Sequence, residues 1–143
     1  MVRSTALIIE QALATRTVNS GDSPLRSVII GSTYSSSAGF DQGWSYHAAK
    51  SAQAAIVRYF ATSYCGRIII NMVSPPTYVK ENAAAYWSST TKNKRWISVS
   101  SLPLITVKQV AEAVCTVLLN ESHCISGNNI LSDYGLSNLY FDQ

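Results

Sequence analysis

Charge is scarce in this sequence. Asp, Glu, Lys and Arg make up 13% of its 143 residues, about half the usual share of roughly 25%. A net charge of +3, with eleven basic residues scattered among eight acidic ones, excludes the dense basic track that nucleic acid requires. The one basic cluster, Lys92, Lys94 and Arg95, reads as a solvated loop. Long apolar runs are lacking too: none approaches the eighteen or so residues of a membrane span, and no basic-then-apolar leader precedes a small-residue cleavage site. The expectation is a cytoplasmic chain with neither a membrane nor a nucleic-acid partner.

Cysteine is sparse and odd in number. Cys65, Cys115 and Cys124 have neither metal-ligand nor redox-motif spacing, so no metal is expected and the three read as reduced and buried. Asn120-Glu121-Ser122 matches a glycosylation acceptor, which means nothing without secretion. The seven glycines are dispersed: there is no Gly-x-Gly-x-x-Gly, no Gly-x-x-x-Gly-x-Gly and no Gly-x-Ser-x-Gly elbow, which disfavours a Ser-His-Asp hydrolase.

What the chain does have is apolar surface, 47% of its residues. A domain of this length buries roughly two-thirds of the surface its unfolded chain exposes, and with so little charge more burial against another chain is expected. Residues 4–18, "STALIIEQALATRTV", carry apolar side chains on nearly every face and predict a helix buried on several sides. Residues 19–24, "NSGDSP", stop it. Residues 26–31, "RSVIIG", predict a buried strand, and the small polar residues 32–43 a loop.

A second helix is expected over about 45–64, with Ser45 as N-cap, until Gly66 ends it. "RIIINM" at 67–72 predicts a strand that Pro75-Pro76 terminates. The stretch 78–101 has poor periodicity and reads as a mobile excursion, with helix possible in its first half. Thr106 to Gln109 forms a capping box for the helix "VKQVAEAVCTVLL", whose Val110, Ala113, Val114, Val117 and Leu118 share one face. A last strand is expected at 128–132. Strands alternating with helices predict an α/β fold with a parallel sheet, here of about three strands.

Tyr46 and Lys50 in "WSYHAAKSAQ" lie one turn apart on one helix face. An ammonium near a phenol favours the phenolate and makes the tyrosine a usable general acid or base. The bare pair is weak as a motif, since chance produces it in a chain with eight tyrosines. His47 beside it reads as structural, because no orienting acid is suggested by spacing.

The surroundings make the pair specific. "SVIIGS", a polar loop, "YHAAKSAQAAIVRYFA" and then "GRIIINMVSPP" closely resemble the second half of the short-chain dehydrogenase/reductases. There a strand ends in Gly-Ser or Ser-Ser, Tyr-x-x-x-Lys follows, and a strand ending in Asn-x-Val-x-Pro-Gly comes next, with Pro76 here in the glycine's place. "TVKQVAEAVCTVLL" resembles the family's late helix, and "ISGNNILSDYG" its closing strand and turn, with Tyr134 where a glycine would be. The resemblance spans about residues 2–137.

It implies the C-terminal half of a Rossmann-type three-layer sandwich and an oxidoreductase activity on a small carbonyl or alcohol substrate with NAD or NADP. By that resemblance Tyr46 exchanges a proton with the substrate oxygen, Lys50 lowers the tyrosine's pKa and binds the nicotinamide ribose, and Ser32 holds the substrate oxygen. The backbone after Pro75, through Val79, would contact the nicotinamide carboxamide. Ser32 lies fourteen residues before Tyr46, one more than the commonest family spacing, which leaves Thr33 or one of Ser35, Ser36 and Ser37 as alternatives. The aromatics Tyr78, Tyr86, Trp87 and Trp96 would fall in the substrate lid, or merely cover the fold. The family's dimers imply a homodimer or homotetramer through helices 4–18 and 45–64.

The family's Gly-rich turn and adenosine-ribose acid have no counterpart here, and Met1 sits where a structural and catalytic Asn is expected. The chain is therefore expected to be a single truncated domain, residues 1–143, without the dinucleotide-binding half. Three explanations fit: a fragment of a full reductase, a half-length protein that survives as a non-catalytic oligomerisation or scaffold module, or one member of a pair whose other chain supplies the cofactor half. Alone, it is expected to lack dehydrogenase activity.

Overall fold

A computed structural model describes residues 2–16, 23–37, 42–76, 78–79 and 105–135. Helix α1 (Val2–Thr15) leads to strand β1 (Leu25–Ile30), a 3-10 turn (Thr33–Ser35) and helix α2 (Trp44–Ser63). Strand β2 (Ile68–Ser74), the short strands β3 (Tyr78–Val79) and β4 (Ile105–Thr106), helix α3 (Val107–Leu119) and strand β5 (Asn129–Leu131) follow. The main sheet is parallel, in the order β1-β2-β5, and β3 pairs with β4 as a separate parallel ladder. This is the α/β Rossmann-like arrangement that the alternation of elements predicts, with β3 and β4 as additions that their two-residue lengths hid.

Strand β2 is buried along all seven residues, as the central strand of a sheet covered on both faces must be. Its Ile68, Ile70 and Met72 join Ile9 and Leu13 of α1 and Ala54, Val57 and Phe60 of α2 in one apolar cluster. Helix α3 rests on β1 and β2, and the alternation of strand side chains gives it the opposite face. Its covered positions are the predicted stripe, with Val110 buried and Ala113, Val114, Val117 and Leu118 half-buried. The capping box is formed as expected: Thr106 Oγ1 accepts from Gln109 N at 3.2 Å, and Gln109 Oε1 accepts from Thr106 N at 2.9 Å.

Strand β5 is docked by side chains of β2 and its own approach. Asn71 Nδ2 donates to Ile125 O at 2.8 Å, and its Oδ1 accepts from Asn128 N at 3.1 Å. Gly66, with φ of +80°, makes the left-handed turn from α2 into β2 that a side chain would strain.

Four expectations need correction. The N-cap of α2 is Gly43, not Ser45: its extended backbone offers a carbonyl to Tyr46 N at 3.0 Å, and Ser45 lies inside the first turn. Strand β2 runs on to Ser74 before Pro75 stops it. Helix α1 is covered along one face only, since Ile9 and Leu13 are buried while Leu7 and Ile8 are exposed. All three cysteines are free and exposed, because Cys115 lies off the packed stripe of α3 and the other two follow element ends at the chain's turns. The basic cluster 92–95 and the aromatics Tyr86, Trp87 and Trp96 lie outside the described residues.

Candidate active site

Ser32, Pro75 and the Tyr46–Lys50 pair lie near the carboxyl end of β1, where open α/β sheets bind ligands. The close approach starts with Gly31, whose N donates to Val73 O at 2.8 Å. A Cβ at Gly31 would lie 2.5 Å from Ser74 Oγ and 2.7 Å from Met72 Sδ, so a side chain here would have to displace the Ser74 hydroxyl and the end of Met72.

Ser32 follows in extended conformation, buried, and caps the 3-10 turn by accepting from Tyr34 N at 3.3 Å. Thr33 N donates to Pro75 O at 3.1 Å, which ties the turn to the end of β2. Of the alternative hydroxyls, the three serines have partners within the fold. Ser35 Oγ accepts from Asn129 Nδ2 at 2.8 Å, and the hydroxyls of Ser36 and Ser37 donate to Thr33 O at 3.4 and 2.9 Å.

Helix α2 brings Tyr46 and Lys50 against this turn. Lys50 is 8% exposed, unusual for a lysine. Its Nζ lies 5.7 Å from the centroid of the Tyr46 ring, within cation–π range, and donates to Ile30 O at a long 3.5 Å. Burial pushes the Lys50 ammonium below its ordinary pKa, because desolvation disfavours the charged form. The Tyr34 ring stands edge-on to that of Tyr46 at 6.2 Å and tilted against His47 at 4.8 Å. His47 is thus part of an aromatic packing cluster, in line with the structural reading of its sequence position.

Pro75 is buried at the end of β2, its carbonyl taken by Thr33. Val79 belongs to β3, in register with Thr106 of β4; its side chain is outside the described residues. Sequence reasoning missed Ser74 and Asn129, whose side chains join at 2.6 Å behind the turn. Neither has a spacing signal, since they come together only through the pairing of β2 with β5.

A buried ammonium with three donors and one long hydrogen bond among the described residues suits a ligand rich in hydroxyl oxygen, and a ribose diol fits that donor set. The described residues offer no glycine-rich turn for a pyrophosphate. Three or more His, Cys, Asp or Glu able to hold a metal do not cluster among the described residues.

Comparison with known proteins agrees with this arrangement. The family model described as enoyl-(acyl carrier protein) reductase matches residues 1–137. No curated protein sequence matches significantly. A gluconate 5-dehydrogenase from Burkholderia cenocepacia, solved with NADP and tartrate, superposes with a TM-score of 0.75 at 17% identity, over 96% of this chain and 52% of its own. A putative 2-deoxy-d-gluconate 3-dehydrogenase from Agrobacterium tumefaciens with bound NADP gives 0.74 at 22% identity, over 92% and 52%. A short-chain type dehydrogenase/reductase from Mycobacterium ulcerans gives 0.69 at 22% identity, over 79% and 42%. The chain spans about half the length of these structures. With the family model covering nearly all of it, the chain belongs to the short-chain dehydrogenase/reductases.

Proposed function

We propose that this chain is the substrate-side portion of an NAD(P)-dependent oxidoreductase that interconverts a small carbonyl compound and its alcohol. The observation that carries the reading is Lys50, buried beside the face of the Tyr46 ring and given one long hydrogen bond among the described residues. Desolvating an ammonium is costly, and a fold retains such a group where a ligand or a reaction uses it.

The roles follow from the chemistry of each group. In the reductive direction Tyr46 gives its hydroxyl proton to the oxygen of the carbonyl as that oxygen gains charge, and Ser32 donates a hydrogen bond to the same atom. Lys50 offers the donors for the nicotinamide ribose hydroxyls and a positive charge beside the phenolate left behind. Backbone after Pro75 and at Val79 borders the place of the carboxamide. A bound dihydronicotinamide supplies the hydride, which no side chain can. The neighbours with NADP bound, and a 4-hydroxyisoleucine dehydrogenase mutant solved with NADH and succinate, support NAD or NADP as the cofactor.

The rest of the proposal concerns assembly. The chain is one domain, 1–143, that needs a dinucleotide-binding half, on the same polypeptide or another. Leu7 and Ile8 on α1 and Tyr59 on α2 are at least half exposed and supply the apolar surface for a homodimer, or the first interface of a homotetramer, through these two helices. No described helix is long and apolar enough to cross a membrane, and three free surface thiols fit a reducing compartment such as the cytoplasm.

The test supplies a dinucleotide-binding half ahead of residue 1 and follows the oxidation of reduced nicotinamide with carbonyl substrates. Tyr46→Phe is expected to lower kcat by at least about a hundredfold, the usual worth of a general acid, with the fold unchanged. Turnover retained by that variant overturns the reading.

A further inference from the structure

We propose that Asn129 is a positioning residue that holds the Ser32 turn in place through a partly buried side-chain relay. The proposal rests on the reading of Ser32 as the group that binds the substrate oxygen. Ser74 Oγ donates to Asn129 Oδ1 at 2.6 Å, and Asn129 Nδ2 donates to Ser35 Oγ at 2.8 Å. Three elements are joined: the end of β2, the start of β5 and the 3-10 turn.

The relay begins against the backbone it controls. Ser74 is 0% exposed, and its hydroxyl fills the space where a Cβ of Gly31 would be, 2.5 Å from that ideal position. Gly31 directly precedes Ser32. At its far end the relay grips Ser35, whose carbonyl also accepts from Ser51 Oγ of α2 at 3.0 Å. Ser35 N in turn donates to Ser32 O at 2.9 Å. The turn is thereby held from β5 on one side and, one residue after Lys50, from α2 on the other.

An apolar pair would fill the space between β2 and β5 without desolvating a hydroxyl and an amide. Polar groups in such a place stabilise only when both are satisfied, and then they select one geometry. Beside the backbone bond from Thr33 N to Pro75 O, Asn129 connects the two ends through its side chain, because a carboxamide presents an acceptor and a donor. A fixed turn keeps the Ser32 hydroxyl at a set distance from Tyr46, and an orientation loose by an ångström is costly in catalysis.

The experiment uses the chain as it is and needs no turnover. Backbone amide resonances and hydrogen exchange are compared for wild type, Asn129→Leu, Ser35→Ala and a core control, Val57→Ala. Asn129→Leu is expected to shift the Ser32 to Ser37 amides and the Tyr46 ring signals, and to speed exchange at Ser35, Ser36 and Ser37 by about fivefold to tenfold, the loss of one hydrogen bond. Ser35→Ala is expected to give the same pattern, and the pair combined no more than either alone. Val57→Ala should not single out these amides.

Should Asn129→Leu fail to fold because Ser74 is left unsatisfied, the Ser74→Ala/Asn129→Leu double variant removes both partners and carries the comparison. Turn amides that stay protected in the folded variants, or effects of Asn129 and Ser35 that add independently, overturn the proposal. Failure of the oxidoreductase reading is seen elsewhere, as absence of turnover in the complemented wild type.

Discussion

Lys50 bears the sharpest energetic conflict among the described residues. Its pKa is lowered from 10.5 by burial, so in the interval below that value the unfolded chain binds more protons than the folded one. Stability therefore rises with pH across that interval as the buried ammonium is relieved of its charge. Lys50→Met, which keeps the length of the side chain and removes the charge, is expected to unfold at higher denaturant than wild type at neutral pH. The advantage should shrink as pH approaches 10.5. Denaturant titrations of both proteins at several pH values measure it, and a wild type more stable than the variant at neutral pH contradicts the reading. The Tyr46 and Lys50 pair was legible because one helical turn separates them in sequence. Ser74 and Asn129 were not: they are 55 positions apart, and serine and asparagine read as surface residues until two strands place them side by side.

Helix α3 illustrates how far an element can be read locally. Its boundaries, stripe and capping box all come from contacts within four residues, and all match the expectation. Thr106→Ala removes the cap that receives Gln109 N and is expected to cost about 1 kcal/mol, read as a lowered midpoint of thermal or denaturant unfolding. An unchanged midpoint would show that the Gln109 side chain, which also donates to Tyr134 Oη at 2.6 Å, holds the end unaided. The start of α2 was read one step wrong because its cap is a backbone carbonyl of Gly43, and a backbone group leaves no mark on residue type. Strands β3 and β4 were missed for another reason: two residues cannot display a period.

Over the whole molecule, the low charge content has a concrete expression. Ile8 is 69% exposed on α1 and Tyr59 60% on α2, while the far sides of both helices pack on the sheet. Sequence indicated a helix that wants burial on several sides, and among the described residues its second side stays open at Leu7 and Ile8. Ile8→Glu places a charge in the proposed helical interface, and sedimentation velocity is expected to show the dimer of the wild-type chain replaced by monomer, with circular dichroism unchanged. A wild-type monomer, or a variant that stays dimeric, contradicts the interface.

The central proposal is that Tyr46 and Lys50 are the acid–base pair of a reductase and that this chain alone lacks the cradle for its cofactor. Tyr46 and Lys50 stand at the carboxyl end of a parallel sheet, yet no Gly-rich turn occurs anywhere in the 143 residues, and such a turn brings backbone N–H groups to a pyrophosphate. Calorimetric titration of NADH and of NADPH into the chain alone is the most direct test. The account predicts no binding in the micromolar range, and its appearance once a dinucleotide-binding half is supplied. Micromolar binding by the chain alone would contradict it.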